Sequence, residues 1–206
     1  MIRGLLIFTF CLLALSANAE SIQKKPQESA KDFAARYAPN SASEIVQIAA
    51  ASAWRLDKPV IVSFYQYPVR YADKSKNYGD SPNESEVLGV IYIPINETEF
   101  KRFEIDGYGP EGSNAEINSF FFAKTDRSFE EKLFVMVSWH TNNGVLYSTR
   151  VYEKPELTSS ESKLVYLAQL SQTFGMECDH CPADPNRAAK FKTAAAVKAE
   201  LRRLFK

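Results

Sequence analysis

Between Val60 and Tyr152 apolar runs alternate with polar punctuation, and the runs are as long as strands, not helices. Five of them are dense in β-branched and aromatic residues: Val60 to Tyr67, Val87 to Ile93, Glu116 to Ala123, Lys132 to Trp139 and Val145 to Tyr152. Each is predicted as a strand. A shorter strand is expected around Phe103 and Ile105. Phe120 to Phe122 and Leu133 to Val137 are apolar at every position, so both their faces need cover. That places this pair at a sheet centre. Val145 to Tyr152 interrupts its apolar residues with Ser148, Thr149 and Arg150 and is expected nearer the periphery.

Helical spacing takes over at both ends. Gln27 to Tyr37 sets Phe33 and Tyr37 four apart, and Pro39 prevents continuation. Ser41-Ala-Ser-Glu44 reads as a capping box opening a helix to about Arg55, with Ile45, Ile48 and Ala49 on its apolar side. Thr158 to Glu161 offers capping residues ahead of Leu164, Leu167 and Leu170, with Gly175 as the stop. A last helix from about Thr193 buries Val197, Leu201 and Leu204. The expected fold is α+β, a mainly antiparallel five- to six-stranded sheet flanked by N-terminal and C-terminal helices. It forms a single domain over residues 20–206. The long polar connection between Tyr67 and Val87 is expected to be disordered.

The first residues change the compartment. Arg3, the apolar run Leu5 to Leu15 and Ala17-Asn18-Ala19 have the order of a cleavable signal peptide over residues 1–19, leaving Glu20 as the mature N-terminus. The run is too short to span a bilayer, which takes about 20 residues. Cys11 sits inside it behind Phe10, where lipidation would call for a small residue, so no lipid anchor is expected. The expected destination is the periplasm, with full secretion as the alternative. Only Cys178 and Cys181 remain after cleavage, and in an oxidising compartment they are expected to form a disulfide. A redox dithiol and a zinc site are the competing readings of Cys178-Asp-His-Cys181.

Charge is balanced at 25 bases against 25 acids but unevenly spread. Nine acids fall between Asp80 and Glu116 against Lys101 and Arg102, and seven bases follow from Arg187 against Glu200 alone. Two solvated faces of opposite sign are expected, and no nucleic-acid partner. Chemistry-bearing motifs are few. His140 follows Trp139 at a strand end with no nucleophile assigned to it, and no G-x-S-x-G elbow is present. Ser160-Glu-Ser-Lys163 matches S-x-x-K without its companion motifs, and Ser160 reads better as a helix cap. The glycine-rich segment Asp106 to Glu116 lacks the ligand spacing of a calcium loop and builds a turn instead. Phe120 to Val137, a strand–hairpin–strand unit around Asp126, resembles one unit of an FG-GAP-type repeat. Asp126 is the lone acid where such a loop carries several, so the resemblance implies no calcium site.

No catalytic residue, metal or cofactor is expected. The expected recognition surface comprises Glu104, Asp106, Tyr108, Glu111, Glu116 and His140. The function expected is that of an exported, non-enzymatic binding protein, an inhibitor or immunity-type partner of another protein, with no membrane span. A periplasmic enzyme of unidentified class and a thiol–disulfide protein using Cys178 and Cys181 are the alternatives.

Overall fold

In β3 (Val60–Pro68), Val60, Val62 and Phe64 point to one side and Ile61 and Tyr65 to the other, all of them buried. A strand apolar on both faces must be covered twice, and the architecture follows from that need. In the computed structural model, which describes residues 21–39, 42, 44–54, 56–68, 84–125, 130–183 and 185–205, β3 lies within a five-stranded antiparallel sheet. Its order is β1 (Ser21–Gln23), β5 (Glu99–Tyr108), β4 (Ser85–Pro94), β3 and β2 (Glu44–Ala51). A second antiparallel sheet runs β6 (Ala115–Lys124), β7 (Glu131–Thr141), β8 (Gly144–Tyr152), β9 (Met176–Asp179). The expected leader, Ser41 of the expected cap, the expected Asp126 hairpin and most of the connection after Tyr67 lie outside the described residues.

The two sheets pack face to face. Val60, Val62, Phe64, Ile91, Ile93 and Phe103 of the first meet Leu133, Val135, Val137 and Trp139 of β7. On the outer face of the first sheet, α1 (Ala30–Arg36) lays Phe33 and Ala34 over Ile61, Tyr65, Val90 and Tyr92. Ser29 caps that helix by accepting from the Asp32 amide. On the outer face of the second sheet, Val197 and Leu201 of α3 (Ala194–Leu204), with Phe174 and Phe191, cover Phe121, Phe134, Met136 and Val151. The layers are therefore helix, sheet, sheet, helix. The mainly antiparallel α+β character matches expectation, the flanking helices do so only in part, and the strands divide into two sheets instead of one.

Three further expectations need correction. The expected helix after Glu44 is strand β2, paired antiparallel with β3. A bulge at Val46 lets Ile45 and Ile48 face the same side opposite Tyr65 and Ser63, so a strand carries helix-like spacing. The pair expected at a sheet centre splits: β7 is central, while β6 is an edge strand. Both faces of β6 are covered nonetheless, Phe120 and Phe122 by the facing sheet and Phe121 by α3. Finally, the helix expected from Thr158 shrinks to α2 (Ala168–Gln172). Lys101, almost fully buried, donates to the carbonyls of Leu157 and Ser159, and Ser162 to Leu167 run extended.

That extended segment is a strap across one side of the sandwich. The Glu104 amide of β5 donates to Ser162 O at 2.7 Å, and the Leu164 amide returns to Glu104 O at 2.8 Å. Farther on, the Glu153 amide donates to Val165 O and the Leu167 amide to Val151 O, at 3.0 and 2.8 Å. The strap thus satisfies edge groups of both sheets in turn, which unpaired strand edges require.

Candidate functional site

A second bulge shapes the interior of this strapped edge. In β5, Gly89 pairs with Asp106 and Val90 with Glu104, so Ile105 is the extra residue. The shift turns Asp106 inward with Tyr108, while Glu104 stays on the outer side opposite Val90. Bulges re-aim side chains in this way near functional sites. Opposite stands β8, whose inward positions include Ser148, Arg150 and Tyr152.

Asp106 is the hub. Its Oδ1 accepts from the Gly107 amide at 3.0 Å and from Lys163 Nζ at 3.1 Å. Its Oδ2 accepts from Tyr152 OH at 2.9 Å and from Arg150 Nη1 at 3.0 Å. With its proton committed to Asp106, the Tyr152 hydroxyl accepts from Tyr108, 3.1 Å away. The Arg150 guanidinium also lies over the Tyr108 ring, 5.0 Å from its centroid. Lys163 reaches Glu104 as well, at 3.4 Å.

Burial alone would push the Asp106 carboxyl upward, but Tyr152, Lys163 and Arg150 together hold it below the ordinary carboxylate value. Burial opposes the charge on Lys163 too, yet its contacts with Asp106 and Glu104 raise it. Desolvation pushes both Tyr108 and Tyr152 well above the usual phenol range. At neutral pH Asp106 is therefore a carboxylate between two cations and beside two intact hydroxyls, with the Glu104 carboxyl adjoining Lys163. A group poised to exchange a proton needs a pKa near the working pH, and these are driven away from it. Lys163, held as an ammonium by Asp106 and Glu104, is also unsuited to the base role of an S-x-x-K motif, and Ser160 is exposed. The cluster presents fixed charges and hydrogen-bond donors.

The hub opens outward through a gap. Along the β8 edge, β9 covers Val145 to Ser148 and the strap covers Val151 to Glu153. Between them lies a recess of about 430 Å³, with Asp106, Ser148, Arg150, Tyr166, Gln172 and Met176 among its lining residues. Ser171 stabilises its wall by accepting from the buried Val151 amide and donating to Leu167 O.

The expected recognition surface falls into two places. Glu104, Asp106 and Tyr108 belong to the strapped edge. Glu116 and His140 meet elsewhere, on β6 and β7, where their side chains approach to 3.3 Å and are both 60% exposed. Glu111 is exposed in the turn before β6. Arg150, Tyr152 and Lys163 complete the cluster without having been expected in it. The available signal was a cation at an inward position of an apolar strand, two residues from Tyr152.

Cys178 and Cys181 lie at disulfide-bonding distance, with Cα atoms 5.7 Å apart. They flank the end of β9, and the next helix, α3, begins only at Ala194. Thioredoxin-type dithiols stand at a helix start, an arrangement absent here. Gly144 packs closely on this turn: a Cβ there would sit 2.6 Å from Asp179 O and 3.0 Å from Cys181 Sγ. Among the described residues no group of three His, Cys, Asp or Glu side chains could hold a metal ion, and no helix is long and apolar enough to cross a membrane. Compared with family models, with curated proteins and with solved structures, the chain matches none.

Proposed function

We propose that this is an exported, non-enzymatic interaction protein of the periplasm, a single domain released from its leader at Glu20, which meets another protein at the recess on the strapped edge. An inhibitor or immunity-type role suits such a protein. The observation that carries the reading is the composition of this edge. Arg150, 27% exposed and fixed by Asp106 and the Tyr108 ring, sits in the recess. Around it Tyr166 and Met176, which also line the recess, are 46% and 55% exposed. An anchored arginine flanked by exposed aromatic and Met side chains is the make-up of an interface centre. The protonation states of the cluster favour binding over proton transfer.

The test is site-specific photo-crosslinking in the periplasm of expressing cells, with the photoreactive residue at Gln172 beside the recess or at Val46 on the far edge strand β2. A discrete adduct from position 172 and none from position 46 is expected. No adduct at 172, or equal adducts at both, would overturn the reading.

A further inference from the structure

Asp106 has no acceptor capacity to spare, since each oxygen already takes two donors. Arg150 is the reverse case. It spends Nη1 on Asp106, and among the described residues Nε and Nη2 make no hydrogen bond. Those two nitrogens form the side of the guanidinium that presents two parallel N–H bonds, the geometry that matches a carboxylate in a fork. The Ser148 hydroxyl, two residues earlier on the same face and also lining the recess, makes no hydrogen bond among the described residues. Immobilising a free arginine normally costs side-chain entropy, but Asp106 and the Tyr108 ring have already fixed this one.

Resting on the interaction reading above, we infer that the recess is a carboxylate site: a carboxylate of the partner polypeptide lies edge-on against Nε and Nη2 of Arg150, with Ser148 as an additional donor. Charge selects the ligand class. Arg150 and Lys163 are offset by Asp106 and Glu104, so the site is neutral before binding. A phosphate dianion would place two charges beside the ionised Asp106 with no unshared cation to answer them, whereas a planar monoanion needs only the open fork. An ammonium would find the carboxylate that lines the recess, Asp106, already committed on both oxygens. The source is a chain terminus or an acidic side chain, which share this chemistry.

The side-chain Nε–H resonance of Arg150, assigned by its loss in Arg150→Lys, reads the site directly. The exported protein is titrated with N-acetyl-Ala-Ala bearing a free C-terminus, with N-acetyl-glutamate-N-methylamide, with N-acetyl-Ala-Ala-amide and with inorganic phosphate. Saturable movement is expected with at least one of the two carboxylate peptides, and the responder identifies the source. The amide should leave the resonance in place, and phosphate should bind at least about tenfold more weakly than the better peptide. In Arg150→Lys the charge remains and the fork is lost, so peptide affinity read on backbone amides should fall at least about tenfold. Ser148→Ala, which leaves the hub intact, should weaken binding a few-fold. No response to either carboxylate peptide, an equal response to the amide, or phosphate binding as tightly as the peptides would overturn the inference. If the position-172 crosslink persists alongside such a failure, the interaction reading stands and only the carboxylate assignment falls.

Discussion

Asp106 gathers donors from β5, β8 and the strap, and replacing it with Asn would aim an amide N–H₂ or a weaker acceptor at Arg150 and Lys163. Leaving a partly buried cation without its carboxylate should cost about 2–4 kcal/mol, read as a lower urea midpoint at neutral pH. The pH dependence has a definite sign. Because the folded pKa of Asp106 lies below the ordinary value of 3.8, its contribution is present above that value and is lost as pH falls through the folded pKa. The stability gap between wild type and Asp106→Asn should therefore hold from pH 7 to about pH 4 and close below it. A gap unchanged down to about pH 2.5 would show that the carboxylate charge is not what holds the hub. Part of this site was legible: Asp106 and Tyr108 stand out in a glycine-rich acidic segment. Arg150 and Lys163 did not, because what unites them with Asp106 is a bulge and a strap, tertiary features with no local spacing of their own.

Elements whose period is undisturbed were readable from the chain: β3, β4, β7, β8 and α3 fall where alternation or 3.6-residue spacing puts them. The errors coincide with bulges and with edges. Ile45 and Ile48 mimic a helix face because Val46 is an extra residue, and Ile117 and Phe120 both reach the inter-sheet core because the register slips between Ile117 and Ser119. The strap carries leucines at helical spacing, yet the edges of β5 and β8 claim its backbone groups. β9 and its cysteine turn illustrate how such edge elements are held. Asp179 accepts from the Ala189 amide and from Lys192, and Glu177 accepts from the amides of Lys190 and Phe191. The Cys178–Cys181 bond closes only a short loop, worth about 2 kcal/mol in chain entropy. The double Cys→Ser variant should keep its fold and its position-172 crosslink while melting about 4–8 °C lower. Loss of folding would mean that the carboxylate contacts do not hold this segment by themselves.

At the scale of the whole molecule, apolar strands announced burial on both faces but not what would cover them. One sheet with helices on either side and two sheets with a helix on each outer face both satisfy the same pattern. The distinction lies in which side chains meet across the middle, and that depends on contacts distant in sequence, such as Phe64 against Phe120, with ring centroids 5.8 Å apart. The four-layer arrangement makes a prediction that a single sheet would not. Val62 has no exposure and lies between the two sheets, with the apolar Ala49 and Ile91 as its cross-strand neighbours. Phe121 lies on the outer face of its sheet, stacked on Phe134 at 5.0 Å, with Lys198 of α3 only 4.6 Å from its ring centroid. A carboxylate at position 121 thus has a ready partner and a short path to water, while one at 62 has no cation beside it in its own sheet. Val62→Asp should yield no folded protein, since an unpaired charge between the sheets costs a large share of a typical stability of about 5–15 kcal/mol. Phe121→Glu should fold, with a loss of about 2–4 kcal/mol from the missing ring. Soluble yield reads the first variant and urea unfolding of purified Phe121→Glu the second, and equal outcomes at the two positions would refute the layering.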